Sequence, residues 1–426
     1  MTRIACVILG GGRGERLFPL TKERAKPAVP FGCRYRLVDI PISNSIHAGI
    51  MEIFIVTQFN SDSLHNHISS TYQFDTFSKG FVRIMAAKQS FTSETGWFLG
   101  TADSVRKNLT SFLTTKPDYI MILSGDQLYR MDLRRFFKEH VESKAEISIA
   151  ATPVSRGTAD QLGILKLDKN GFIEHFLEKP GKDVDISELK MPDNFVDEDN
   201  REARKEYLAS MGIYIFNTET LIKCLDSQYS DFGKELIPEA INKYRVKGFI
   251  YRGYWEDIGT IRSFYEANLN LASTFPLFNL YDELKPIYSK RTDLPPSKIN
   301  ACTFRNALAG EGSIITDAFI SNSLIGIRTI IDSGASLENV YCMGADFYET
   351  DDQRRENIEK GIPNIGIGAG TIIRNAIVDK NVRIGRNCRI GIDSNNRKDG
   401  DYNNYFIKEG LVIICKNACL SDGTSI

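Results

Sequence analysis

Over roughly the first 270 residues, short apolar runs alternate with polar stretches. The runs are IACVIL (4–9), IFIVT (53–57), YIMILSGD (119–126), EISIAA (146–151) and GIYIF (212–216). Their length and β-branched content predict strands. Between them, DLRRFFKEHVES (132–143) places Leu133, Phe136, Phe137 and Val141 at helical spacing, which predicts a helix with one apolar face. Apolar strands alternating with helices predict a mostly parallel sheet covered on both faces. Ligands in such sheets bind beyond the carboxyl ends of the strands. The glycine cluster after IACVIL and Asp126 after YIMILSG are therefore expected on one crevice.

Beyond about residue 300 the texture changes to short apolar clusters punctuated by Gly, Asn and Asp. In TIIRNAIVDKNVRIGRNCRIG (371–391), Ile372, Val378, Ile384 and Ile390 recur every six residues, and Ala376, Val382 and Cys388 each follow four later. A six-residue apolar period predicts a parallel β-helix whose turns stack on one another. The run 314–343 shows the same texture around Leu324 and Ile330, and the polar stretch 343–363 reads as an insertion between coils. The segment KPIYSKRTDLPPSKI (285–299) reads as an extended linker, since its prolines break a helix. The expected organisation is a first domain over 1–275, a linker over 276–300 and a coil domain over 301–426.

Composition narrows the function classes. The 426 residues are 42% hydrophobic and 25% charged with a formal net charge of -1, ordinary for a soluble globular chain and no sign of a polyanion-binding protein. No basic run with interleaved aromatics points to nucleic acid. The eight cysteines are scattered without metal or disulfide spacing, so reduced thiols are expected. With no leader-like or membrane-length apolar segment before Ile4, a cytoplasmic location and no membrane partner are expected.

The stretch ILGGGRGERLFPLTKERAKPAVP (8–30) carries candidate chemistry. It lacks the Lys-Ser/Thr pair that closes a P-loop, and Glu15 or Leu17 stands where a dinucleotide fingerprint needs its third glycine. What remains is Gly10, Gly11, Gly12 and Gly14, where backbone N–H groups can approach an anion. Arg16 offers a planar fork for phosphate oxygens and Lys26 a point charge. A glycine-rich turn with solvated cations fits the same residues. Asp126 and Asp257, in SGDQLY and YWEDIG, are hard oxygen ligands suited to Mg²⁺, although Asp after a strand also forms turns.

The long motif GGGxGxRLxPLTxxRAKPAVP, followed by YRLVDIPISNS (35–45), WFLGTADSV (97–105), LSGDQLYRMD (123–132), FLEKP (176–180), SMGIYIF (210–216) and GYWEDIGTIRSFYEANL (253–269), resembles the ADP-glucose pyrophosphorylases. The resemblance covers nearly the whole chain. It implies an α/β nucleotidyltransferase domain with a mixed, mostly parallel sheet, then a left-handed β-helix domain, in a homotetramer. The implied reaction is ATP plus α-D-glucose 1-phosphate giving ADP-glucose and pyrophosphate with Mg²⁺, the committed step of glycogen or starch synthesis. Asp126, Arg16 and Lys26 would be catalytic, with Asp126 and Asp257 on the metal and the glycines, Arg16 and Lys26 on the triphosphate. Gln58, Gly100 and Thr101 match contacts to base and ribose, and Leu99 departs from the Gln or Arg common before GTAD. Gly163, Glu178, Lys179 and Ser210 match the glucose 1-phosphate pocket. Arg24, Arg36, Lys380 and Lys416 match positions that receive phosphorylated metabolite effectors. Details such as LPPSKI resemble the plant-like branch, which responds to 3-phosphoglycerate.

Rival readings are a pyrophosphorylase using another nucleoside triphosphate, a catalytically weak regulatory subunit, and an acyltransferase. The last needs a histidine in the coils, whereas all five histidines precede residue 180. His65 and His67, one residue apart, are expected as polar surface residues, and Trp97 and Phe98 either stack on a base or pack in a core.

Overall fold

The computed structural model describes all residues except 1, 11, 13, 76, 78, 79, 88–96, 200–202 and 393–397. Its first half contains the strands β1 (Ile4–Leu9), β2 (Pro30–Phe31), β3 (Tyr35–Arg36), β4 (Glu52–Thr57), β5 (Phe81–Ala86), β6 (Tyr119–Ser124) and β7 (Gln127–Tyr129). There follow β8 (Ile147–Val154), β9 (Gly163–Leu167), β10 (Ile173–Glu178), β11 (Tyr207–Asn217), β12 (Val246–Ile250) and β13 (Trp255–Asp257). Nine of these form a mixed sheet in the order β10-β9-β11-β6-β1-β4-β5, with β8 paired to β11 and β12 to β8. The segment β6-β1-β4-β5 is parallel, and β11 runs antiparallel to both β6 and β8.

The apolar runs are continuous because both faces of the sheet are covered. Along β1, Ala5 and Val7 join a core with Phe54, Val56, Val105 and Phe112, while Cys6 and Ile8 join the opposite core with Ile42, Ile53, Leu133 and Phe136. The helices that cover the faces include α1 (Asp39–His47), α2 (Asp62–Thr71), α3 (Thr101–Phe112) and α4 (Leu133–Glu142). On α4 one expectation fails: Val141 is 45% exposed and His140 is buried instead. Position i+7 from Leu133, not i+8, stays on the buried face. The His140 ring is satisfied there by Ser148 Oγ at 2.7 Å and Asn217 Oδ1 at 3.0 Å. His67 is likewise not a surface residue: it is buried on α2, with Nε2 2.5 Å from Asp39 Oδ1.

The second half winds as parallel coils. Thr303–Ala309, Phe319–Ile325, Ser336–Cys342 and Ile372–Val378 stack in register on one face, and Lys298–Asn300, Ile314–Thr316, Ile330–Ile331 and Gly366–Ile367 on another. The coils thus start with Lys298–Asn300, inside the stretch read as linker. Val378, Ile384, Ile390, Ala376, Val382 and Cys388 fill the interior. At the first hexad, however, the fully buried residue is Ile373, and Ile372 is half-buried. That face is one residue shorter, with five residues from Ile373 to Val378 where six separate Val378 from Ile384, and Asn375 at its corner adopts a left-handed φ of 47°. Such asparagines stack: Asn322 Nδ2 donates to Asn339 Oδ1 at 2.7 Å, and Asn339 Nδ2 to Asn375 Oδ1 at 3.0 Å. The polar insertion carries a helix, Asp351–Glu359, closed at its start by a Thr350–Gln353 capping box. Between coil strands, Glu349 anchors it, accepting from Arg383 at 2.6 Å and from Ile365 N at 2.7 Å.

The two halves share a core. Leu17, Leu20, Phe31 and Phe264 pack with Leu324, Tyr341, Ile377, Phe406 and Ile413. The proline-containing segment before the coils is fastened to the first domain, with Tyr288 N on Ser43 Oγ at 2.8 Å and Ser289 Oγ on Asp39 Oδ2 at 2.7 Å.

Candidate active site

Sheet register brings the glycine cluster and Asp126 together. Parallel pairing sets Leu9 opposite Ser124, so the two loops leave the sheet at one level, and Gly125 N donates to Leu9 O at 3.0 Å. Gly10 donates its N–H to Val56 O at 2.8 Å. A Cβ there would sit 2.7 Å from Pro27 Cγ, so only glycine permits this packing. Gly14 has a φ of 67° and begins the short helix Glu15–Leu17 that carries Arg16. Gly11 lies outside the described residues.

Asp257 reaches the same place from the far end of the domain. Strand β13 pairs antiparallel with β7, setting Asp257 against Gln127, the neighbour of Asp126. Trp255 Nε1 donates to Gln127 Oε1 at 3.1 Å and locks that ribbon. Gly259 lets Arg16 and Asp257 close over it: a Cβ there would meet Arg16 Nη2 and Asp257 Oδ1, each at 3.1 Å.

The charges at this junction are uneven. Lys26 Nζ lies 2.5 Å from Asp126 Oδ2, and Ser124 Oγ donates to Asp126 Oδ1. Burial raises the Asp126 pKa, but the Lys26 charge and hydrogen bond, with Ser124 and Arg16, outweigh it and hold the carboxyl below its ordinary range. Asp257 is pushed the other way, first by burial and then by the Asp126 charge, with Lys26, Arg16 and Lys179 opposing. Among the described residues no cluster of three or more His, Cys, Asp or Glu groups could hold a metal. Two half-buried carboxylates do suit Mg²⁺, which keeps waters and phosphate oxygens in its remaining positions.

On one side of the junction, β9 and β10 pair Gly163 with Glu178. A Cβ on Gly163 would lie 2.6 Å, and one on Gly233 2.8 Å, from Glu178 Oε2, so two glycines make room for that carboxylate. Lys179, with a φ of 48°, turns back so that its N–H reaches Leu162 O at 3.1 Å, and its half-exposed ammonium lies 3.4 Å from Glu178. Ser210 sits at the bulge where β11 slips against β8, and its Oγ accepts from Gly212 N at 3.2 Å.

On the other side, Gln58 Oε1 accepts from Phe98 N at 2.5 Å. Gly100 could bear no side chain, because a Cβ would fall 2.4 Å from Ser230 O. Thr101 Oγ1 donates to Asp231 Oδ2 at 3.1 Å and accepts from Phe232 N at 3.0 Å. Trp97 is half-exposed and stacks on Phe59 at 4.6 Å, presenting aromatic surface to the cleft, and Leu99 is exposed.

Gly10, Gly12, Gly14, Arg16, Lys26, Gln58, Gly100, Thr101, Asp126, Gly163, Glu178, Lys179, Ser210 and Asp257 all line one cleft of about 1150 Å³. Gln127, Gly212, Asp231 and Gly233 line it too. None of these four is singled out by the sequence: Gln127 and Gly212 lie inside motifs whose chemistry points to Asp126 and Ser210, and Asp231 and Gly233 lie in a loop with no motif of its own. The four cations read as effector contacts stand apart from the cleft. Arg24 is buried in a bidentate pair with Asp379 at 2.9 Å, Lys380 lies 2.5 Å from Asp346, Lys416 lies 3.7 Å from Glu23, and Arg36 donates to Ser63 at 2.7 Å. Arg24 and Lys416 border a separate cavity of about 130 Å³ at the domain seam.

Residues 5–274 match the family model described as nucleotidyl transferase. The chain belongs to the nucleotidyl transferase family. Residues 292–425 match a second model, the GLGC left-handed parallel beta-helix domain. A nucleotidyl transferase domain followed by this coil domain is the architecture of the glucose-1-phosphate adenylyltransferase family, and the α/β fold with its mixed sheet and parallel coils is as expected from sequence. Membership of this family, with this coil domain, implies a nucleotide and a sugar phosphate as substrates. No helix among the described residues is long and apolar enough to cross a membrane.

Proposed function

We propose that this chain is a glucose-1-phosphate adenylyltransferase, converting ATP and α-D-glucose 1-phosphate to ADP-glucose and pyrophosphate. The observation that carries the reading is the Asp126–Asp257 junction between a glycine-and-cation side and the Glu178–Lys179–Ser210 side of one cleft. Glucose 1-phosphate is already an anionic nucleophile, so the task is to bring two polyanions together in line and stabilise charge at the α-phosphorus and leaving pyrophosphate. Backbone N–H groups of the glycine loop and Arg16 hold the triphosphate. Lys179 holds the sugar phosphate, while Glu178 and Ser210 take sugar hydroxyls. Asp126 and Asp257 would hold Mg²⁺, which supplies Lewis-acid charge neutralisation to the phosphates. Lys26 leaves its pair with Asp126 to meet phosphate oxygens as the cleft fills. The Trp97–Phe59 stack offers aromatic surface to the base, where Leu99 makes no polar contact by its side chain.

Regulation by phosphorylated metabolites at Arg24, Arg36, Lys380 and Lys416, a homotetrameric assembly and a cytoplasmic setting in glycogen or starch synthesis belong to the same proposal. The test is a matrix of nucleoside triphosphates against sugar 1-phosphates, read by pyrophosphate release with and without added Mg²⁺ and metabolites. ATP with glucose 1-phosphate should give the highest kcat/KM; a higher value for UTP, dTTP or GTP would replace the reading with that of another sugar nucleotide pyrophosphorylase.

A further inference from the structure

One contact from the coils reaches the cleft. Strands Tyr405–Lys408 and Leu411–Ile414 form a hairpin, turned by Glu409 and Gly410 with φ of 53° and 75°. The second strand pairs in parallel with Ile372–Val378, and Ile407, Val412, Ile413 and Ile414 are buried, so the hairpin is part of the rigid coil body. From its tip, Lys408 Nζ donates to Arg16 O at 3.0 Å and lies 3.5 Å from Phe18 O. Phe406 meets Phe18 edge-on, with ring centroids 5.2 Å apart. Arg262 Nη2 donates to Glu409 O at 2.5 Å and ties the tip to the first domain. These contacts grip the end of the short helix Glu15–Leu17: Glu15 O and Leu17 O accept from Phe18 N and Leu20 N, Lys408 supplies a donor to the Arg16 carbonyl between them, and Arg16 sits on that helix over Gly259 beside Asp257.

We propose that Lys408 is a positioning residue for Arg16, so that the coil domain sets how the nucleotide triphosphate is held. The inference rests on the proposed adenylyltransferase reading, in which Arg16 binds phosphate. It is tested on the full-length enzyme by steady-state kinetics of Lys408→Met, which keeps the apolar stem and removes the ammonium, and of Lys408→Arg, which keeps a donor. Lys408→Met should raise the KM for ATP about three- to tenfold, the loss expected for one hydrogen bond, and change the KM for glucose 1-phosphate by less than about twofold. Lys408→Arg should restore most of the ATP affinity. On an Arg16→Ala background, Lys408→Met should add less than about twofold, because both changes remove one function. The inference is overturned if Lys408→Met leaves the KM for ATP unchanged, raises both KM values equally, or acts in full on the Arg16→Ala background. A loss of folding seen by thermal melting in Lys408→Met but not in Lys408→Gln transfers the same criteria to the glutamine variant. Failure of the adenylyltransferase reading is distinguishable, since it shows in the unaltered enzyme as turnover of a different triphosphate, with which the same cycle is then run.

Discussion

The cleft and the domain seam each gather cations, and they hold them differently. In the cleft, Arg16, Lys26 and Lys179 border a space of about 1150 Å³, and the Lys179 ammonium is half-exposed. At the seam, Arg24 and Lys380 are both paired with aspartates, and Arg24 borders a cavity of about 130 Å³. The cleft is therefore open to large anions, with Lys26 held closely by Asp126 but the half-exposed Lys179 only loosely by Glu178, whereas at the seam both Arg24 and Lys380 must give up close aspartate partners to an entering anion. Affinity at the seam is then a difference between two pairings and answers to small changes, which suits regulation better than turnover.

The comparison can be broken at several points. The largest effect is expected from Asp126→Asn, which should lower kcat for pyrophosphate release by at least about a hundred- to a thousandfold while leaving the melting temperature near normal. Near-normal turnover would remove Asp126 from the junction. Arg24→Ala leaves Asp379 buried without its partner, so it should cost about 3 to 5 kcal/mol of stability in denaturant titration, a penalty no cleft cation should match. Lys179→Ala should raise the KM for glucose 1-phosphate about tenfold or more and spare that for ATP. Asp257 supplies a pH test. Burial and the Asp126 charge raise its pKa in the metal-free enzyme, so it takes up a proton above the ordinary Asp range as pH falls, and the Mg²⁺ concentration needed for activity should rise there. Removing the like charge with Asp126→Asn should lower the Asp257 pKa, a shift read by carboxyl NMR titration. The smallest effect belongs to Lys416→Ala: its pair with Glu23 spans 3.7 Å and is partly exposed, so stability should change by less than about 1 kcal/mol, and the change should appear instead in the concentration of phosphorylated metabolite needed for half-maximal activation.

Much of this was legible before any coordinates. Strands and coils announce themselves through repetition: IACVIL is apolar throughout because both its faces are covered, and the hexads repeat because each coil stacks on the last. The errors fall where one residue breaks the period. Ile372 lost its inward place to Ile373 on a face one residue shorter than its neighbours, and His140 took the place assigned to Val141 because Ser148 and Asn217 satisfy its ring. His67 was misread for a related reason: its partner Asp39 lies 28 residues away, and no local pattern encodes that pairing. The site followed the same rule. The glycines and Asp126 could be placed on one crevice from strand order, but the seat of Asp257 depends on the β13–β7 ribbon and the wall at Asp231 on a contact with Thr101, both of which exist only in three dimensions.

The helix-bearing insertion has a practical consequence. Ser336 and Ile372 face each other on adjacent coils although 36 residues separate them, against 17 between Phe319 and Ser336. The coil leaves and re-enters with its ladder undisturbed, so the chain can be lengthened here without altering a single rung. Within a rung, one added residue would exchange interior and exterior side chains until the next turn absorbed it. An epitope, a fluorophore-bearing peptide or even a small folded module is thus best grafted around Ile358, which is exposed in the last turn of that helix.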